Sequence, residues 1–219
     1  MNTLMIVNLS ILVCATLGAL SGTRYLRSRK NLYASMIVLG VVCLALGRLY
    51  QCARLWTGGS LTERFQPGIL GIMGAFSFFF SANFGQIDSL VDGGEGCFAK
   101  YRIIALAGPL CVAAMLIPVV LSPAGLAFRI CCVVVSGVIG VASYFHVKHL
   151  LIPDVDYGVV RCLRGYNALA LALSVLSMLE MIALAWSGEG LLYAAGAGLC
   201  VVTAALVPVM DRGVKKWIT

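Results

Sequence analysis

Apolar runs of about 20 residues recur seven times along this 219-residue chain, and that repetition decides the fold class. A helix crossing a bilayer needs roughly 20 mostly apolar residues. The runs are approximately 3–22, 32–56, 66–87, 102–121, 126–150, 166–187 and 191–210. Only 11% of the residues are charged, where soluble domains carry about 25%, so the chain cannot cover a water-facing surface. An all-α integral membrane protein is expected: one seven-transmembrane-helix bundle over residues 1–219, with the lipid bilayer as its surroundings and no separate soluble domain. The shortest separators, Ser122–Pro123–Ala124–Gly125 and Ser187–Gly188–Glu189–Gly190, read as tight turns because Pro and Gly punctuate chains.

The net charge of +7 raises the question of nucleic acid. The basic residues sit in short segments between apolar runs, a membrane-topology pattern, and no nucleic-acid partner is expected. One side collects Arg24, Arg27, Arg29, Lys30, Lys100, Arg102, Lys148, Arg161, Arg164, Arg212, Lys215 and Lys216, the other only Arg54, Arg64 and Arg129. Cytoplasmic loops carry the excess of Lys and Arg, so the N-terminus is expected outside and the C-terminus in the cytoplasm. Trp56 and Trp186 then lie at the outer interface and Trp217 at the inner one. The first run lacks a basic leader and is followed by a basic stretch, which reads as a retained helix rather than a cleaved signal. A bacterial cytoplasmic membrane is the expected location.

Of nine cysteines, Cys14, Cys43, Cys111, Cys131, Cys132 and Cys200 fall within apolar runs and read as small buried thiols. Cys52 is expected near the outer face, and Cys97 and Cys162 in inner loops. No CxxC spacing is present, so no zinc or redox motif is read. Gly68, Gly71, Gly74, Ala75, Ala82 and Gly85 share a broad face of the third run, and small residues permit close helix approach. That run is expected at the centre of the bundle. Pro109 and Pro118 each remove a backbone donor from the fourth run and favour kinks.

A short internal echo runs from Arg27-x-x-Lys30-x-x-x-Ala34 to Arg161-x-x-Arg164-x-x-x-Ala168. It fits a three-plus-one-plus-three plan of parallel repeats, an arrangement found in some transporters.

Arg48 is the costliest residue in the sequence, because a charge well inside a bilayer is rare and needs a partner. It lies roughly 24 Å along the 32–56 run, at ~1.5 Å per residue. Glu180 lies roughly 21 Å along the 166–187 run, and it is the one acid well inside an apolar run. The two are matched in depth and are expected to face each other. Gln51 and Arg54 share the Arg48 face, and Ser177 shares the Glu180 face. Together Arg48, Gln51, Arg54, Ser177 and Glu180 outline a net positive outer-half pocket, suited to a carboxylate or phosphate that a guanidinium fork can grip. The same residues also fit a purely structural ion pair, with Arg54 snorkelling to the surface.

A second polar group gathers at the inner end. Asn83, Gln86 and Asp88 close the third run, Tyr144, His146 and His149 close the fifth, and Asn167 opens the sixth. Interfacial residues that end helices are one reading, and a proton relay is another, since histidine titrates near neutral pH. His146-x-x-His149 lacks evident third and fourth ligands beyond Asp88 or Asp92, so no metal is assigned. Asp92–Gly93–Gly94–Glu95–Gly96 lacks the alternating ligands of a calcium loop and reads as a connection.

No GxSxG, HExxH or Walker-type spacing occurs, so no catalytic residue is assigned. No lysine lies within 191–210, which removes support for a retinal Schiff base there. No cofactor is expected. Three functions fit this pattern: transport of a small polar or anionic solute, sensing of such a ligand with signalling through a protein on the cytoplasmic loops, and an accessory structural role.

Overall fold

The computed structural model describes residues 3–28, 31–88, 96–153 and 158–218. Seven helices are long and apolar enough to cross a membrane: α1 (Thr3–Ser21), α2 (Leu32–Trp56), α3 (Pro67–Asp88), α4 (Ala99–Val120), α5 (Leu126–Leu151), α6 (Val159–Ala185) and α7 (Glu189–Ile218). A short helix, Thr23–Ser28, follows α1, and a 3-10 turn, Gly96–Phe98, precedes α4. Among the described residues there is no strand. Arg29, Lys30, Asp92, Glu95 and the glycines at 93 and 94 lie outside the described residues.

Local chemistry sets the helix starts. Asn31 precedes α2, and its side chain accepts the Ala34 amide at 2.9 Å, a conventional N-cap. Pro67 stands at the start of α3, where its missing N–H costs nothing. Gly158 precedes α6 at φ 68°, a left-handed conformation that glycine adopts without strain. Three helices outrun their apolar segments. The fourth begins at Ala99 rather than Arg102, the sixth at Val159 rather than Tyr166, and the last runs to Ile218 rather than Met210. Arg and Lys are good helix formers, so the charged ends of these segments continue the helix beyond the apolar stretch.

The helices pack in the cyclic order α1, α2, α3, α5, α6, α7 and back to α1, with α4 outside the ring against α5 and α6. Exchanging α1 with α5, α2 with α6 and α3 with α7 maps every neighbour pair of this ring onto another. The packing thus has the symmetry of the three-plus-one-plus-three plan. α6 is the most buried span, with 56% of its apolar window inside, against 44% for α3 and 22% for α4. The centre is therefore shared by α2, α5 and α6 rather than given to α3.

The small residues of α3 do a more local job. A Cβ on Gly47 would come within 2.5 Å of the Gly68 carbonyl oxygen, and one on Gly71 within 2.6 Å of the Cys43 carbonyl oxygen. These glycines set the α2–α3 distance. A Cβ on Gly85 meets no described residue within 4 Å, and this glycine takes no part in the α2–α3 contact.

α4 is interrupted at Leu106, because Pro109 cannot offer an N–H to the Ala105 carbonyl. Pro118 lies within the last turn and the helix runs through it. α3 ends in a π-helical turn, Asn83–Asp88, a widened geometry that is frequent at functional sites. The cysteines divide by helix position: Cys131 and Cys132 are buried in α5, Cys52 is buried in α2, and Cys14, Cys43 and Cys200 are half-buried. Cys111 is exposed on the outer side of α4, against the expectation of a buried thiol, because α4 stands outside the ring.

Candidate functional site

α2 and α6 stand opposite each other in the ring, and their side chains meet across it at two levels. At one level the rings of Tyr33 and Tyr166 form an edge-to-face pair, 5.8 Å between centroids. At the other, the Arg48 guanidinium grips both carboxylate oxygens of Glu180. The rise from Tyr33 to Arg48 and from Tyr166 to Glu180 is about 22 Å in both helices at ~1.5 Å per residue, so α2 and α6 run parallel and in register.

The ion pair is sealed. Arg48 is 2% exposed and Glu180 1%. Arg48 Nη1 also donates to Gln51 Oε1 and to Asn8 Oδ1, each at 3.1 Å. Gln51 lies on the same face of α2, three residues on. Asn8 is aimed by its own amide, whose Nδ2 donates to the Leu4 carbonyl at 2.9 Å. Ser177 sits on α6 close to Glu180, buried, and its hydroxyl has no partner among the described residues. A buried charge is tolerated when paired and hydrogen-bonded, and this one receives three acceptor side chains from α1, α2 and α6.

Arg54 does not join this group. It is half-buried and folds back onto Gly59 in the turn after α2. The buried cluster therefore holds one cation and one anion, not the net positive charge expected with Arg54 included.

A cavity of about 290 Å³ opens at the N-terminal end of the bundle, between α1, α2, α6, the start of α7 and the loop after α2. Thr3, Ser60, Thr62, Ser187 and Glu189 give it polar groups, and Leu4, Ala183 and Leu184 also line it. Neither Arg48 nor Glu180 lines it. Ala183 lies about 4.5 Å along α6 from Glu180, and Leu4 supplies the carbonyl that orients Asn8. The ion pair thus lies about one helical turn beneath the cavity.

The second cluster sits toward the opposite end. Asn83, from the π turn of α3, places Nδ2 2.9 Å from His146 Nδ1 and donates to Asn167 Oδ1 at 3.0 Å. His146 Nδ1 is also 3.0 Å from Asn167 Oδ1. Asn167 Nδ2 donates to the Leu163 carbonyl at 3.2 Å, and Tyr33 Oη to Asn83 Oδ1 at 3.4 Å. Neutral His146 has one ring proton to place. On Nδ1 it serves Asn167, and on Nε2 it frees Nδ1 to accept from Asn83. Either way Nε2, which is buried, has no partner among the described residues, and the buried Tyr166 hydroxyl has none either.

His149 parts from His146. Its Nε2 is 3.3 Å from Asp88 Oδ1, and Lys148 donates to the same oxygen at 2.6 Å. These contacts tie the π turn of α3 to the end of α5. Tyr144 faces elsewhere, lining a groove between α4 and α5 with Leu106, Pro109 and Gly140. Gln86 is half-buried on the π turn. Among the described residues no three His, Cys, Asp or Glu side chains come together as metal ligands.

Sequence reasoning missed Asn8 and Tyr33. Asn8 carried a usable signal: it is a lone amide in the first apolar run, and polar groups within such runs face the interior. Tyr33 carried none, since an aromatic at a helix end equally suits a membrane interface.

No protein-family model, curated protein or solved structure matches this chain. The fold and the two clusters define it as a seven-helix bundle, apolar enough to span a membrane, with polar side chains buried between α2 and α6 and between α3, α5 and α6.

Proposed function

We propose that this is a multi-pass membrane protein, N-terminus outside and C-terminus in the cytoplasm, that binds a small polar or anionic solute at Arg48 and carries it inward. The observation that carries the reading is the buried Arg48 fork, held by Glu180 and oriented by Asn8 and Gln51, one turn beneath a cavity with a polar lining. A solute carboxylate or phosphate offers the guanidinium what Glu180 offers it. Exchange of one for the other would couple occupancy of the cavity to the α2–α6 contact. The unpartnered Ser177 hydroxyl and the inner cluster around His146 supply further polar stations along α6. The symmetric ring order supports transport further, because parallel repeats recur in transporters.

Reconstitution into proteoliposomes tests this. Uptake of small carboxylates or phosphates is expected, with loss in Arg48→Ala. If no solute moves but such an anion still raises the melting temperature of the purified protein, the reading becomes a sensor acting through a partner on the cytoplasmic loops. The complete pairing of Arg48 within the bundle favours a second reading, an accessory subunit in which the ion pair is structural. That reading stands if neither uptake nor a melting shift occurs. Orientation is checked separately by labelling cysteines placed at Ser60 and Lys216 in sealed vesicles.

A further inference from the structure

At the C-terminal end of the bundle, α6 and α7 form a groove of about 520 Å³ whose charged lining groups, among the described residues, are the cations Arg161, Arg212 and Lys216. All three are exposed. We propose that this groove is a binding site for the phosphate headgroup of an anionic phospholipid.

Three observations converge on that ligand. The first is charge. The nearest described carboxylate on α7 is Asp211, and it is already engaged by Arg24, Tyr25 and Lys215. None of the three groove cations has a salt-bridge partner among the described residues. Among the described residues, three positive side chains from two helices therefore share one concavity without a counter-charge.

The second is close helix approach. α6 and α7 are drawn together by Gly165 and Gly213. A Cβ on Gly213 would collide with the Cys162 carbonyl oxygen, and one on Gly165 would come within 3.1 Å of Val209 Cγ1. The groove is thus a fixed feature of helix packing, not a gap between mobile side chains.

The third is depth. The cations stand where α6 and α7 pass from apolar to charged sequence, with Val209 in the same groove. In a bilayer this is the level of lipid phosphates. Basic pockets between helices on the cytoplasmic side bind anionic headgroups, and guanidinium forks suit phosphate oxygens. A phospholipid meets both requirements at once, its phosphate among the cations and its acyl chain along Val209. This inference rests on the proposed membrane orientation, with the C-terminus in the cytoplasm, and not on a solute at Arg48.

The test uses the full chain purified in a neutral detergent. Native mass spectrometry and thermal melting are followed while phosphatidylglycerol, phosphatidylcholine or glycerol phosphate is added. Phosphatidylglycerol is expected to remain bound and to raise the melting temperature, and the other two are not. The double variant Arg161→Gln/Arg212→Gln should bind it roughly tenfold or more weakly, since each basic residue near an anionic surface contributes appreciably. Arg27→Gln/Arg164→Gln removes the same charge outside the groove and should bind normally. Equal loss in both variants would mean diffuse attraction and overturn the site. Equal binding of phosphatidylcholine overturns headgroup charge as the determinant, and equal binding of glycerol phosphate overturns the lipid as the ligand. Both doubles should melt like the parent without lipid, because the side chains removed are exposed.

Discussion

Arg48 and Glu180, 132 residues apart in sequence, form a two-pronged ion pair in the interior of a bundle whose α2 and α6 make few backbone contacts with each other. Long side chains, not helix packing, close the distance between them. Tyr33 and Tyr166 do the same at the other level. The interior between these two helices is therefore built from side-chain bridges rather than from packed backbone.

Breaking the bridge on one side leaves a bare charge inside. Arg48→Met or Glu180→Leu alone should each cost about 3–5 kcal/mol of stability. The double variant should recover most of that, because an apolar pair of similar volume carries no unpaired charge. Unfolding of the four proteins in detergent gives the coupling directly. Single-variant losses below ~1 kcal/mol, as for exposed ion pairs, would place the pair in water rather than in the core.

The α2–α3 contact makes a contrasting pair of predictions. Gly47→Ala drives a methyl into the Gly68 carbonyl, 2.5 Å away, and should destabilise by about 1–3 kcal/mol, the range for overpacking. Gly85→Ala meets no described residue within 4 Å and should be neutral or stabilising by up to about 1 kcal/mol, since alanine is the better helix former. Thermal melting of both variants in one detergent checks the contrast.

The amide–imidazole cluster should respond to which atom is left alone. Asn167→Leu strips partners from both Asn83 and His146 and should cost about 1–3 kcal/mol, the penalty for a buried unsatisfied group. His146→Phe removes the unpartnered Nε2 and retains a ring against Tyr166, now 5.9 Å between centroids. It should cost less than Asn167→Leu. The reverse order in a chemical-denaturation series would mean that an unseen partner holds His146 Nε2.

Depth counting placed Arg48 opposite Glu180 because helix rise is constant and the runs start at clear boundaries. It could not place Arg54, whose direction depends on the turn at Gly58–Gly59 rather than on helix geometry. The same counting grouped Tyr144 with His146, although adjacent α5 faces send them to different neighbours. The α6 and α7 extensions were hidden because hydropathy marks where a chain is apolar, not where it is helical. Gly85 and Gly71 look alike in sequence, yet one meets no described residue within 4 Å and the other a neighbouring backbone, which only the helix pairing decides.

The short helix Thr23–Ser28 is held to α7 by Asp211, which receives Arg24 and the Tyr25 hydroxyl, and to α2 by Ser35, whose hydroxyl donates to the Tyr25 carbonyl at 2.9 Å. Partial burial, and then the hydrogen bond to Asp211, raise the Tyr25 hydroxyl above its ordinary value. The folded chain thus holds this proton more tightly than the unfolded chain. The contact should be complete at neutral pH and weaken as pH rises past the ordinary tyrosine value of about 10. Asp211→Asn should loosen residues 23–28 at any pH with little global loss, because Arg24 is exposed and its ion pair is screened by solvent. Hydrogen exchange resolves the two effects: faster exchange confined to 23–28 is expected, while exchange that spreads into α1 and α7 would make Asp211 a support of the whole bundle.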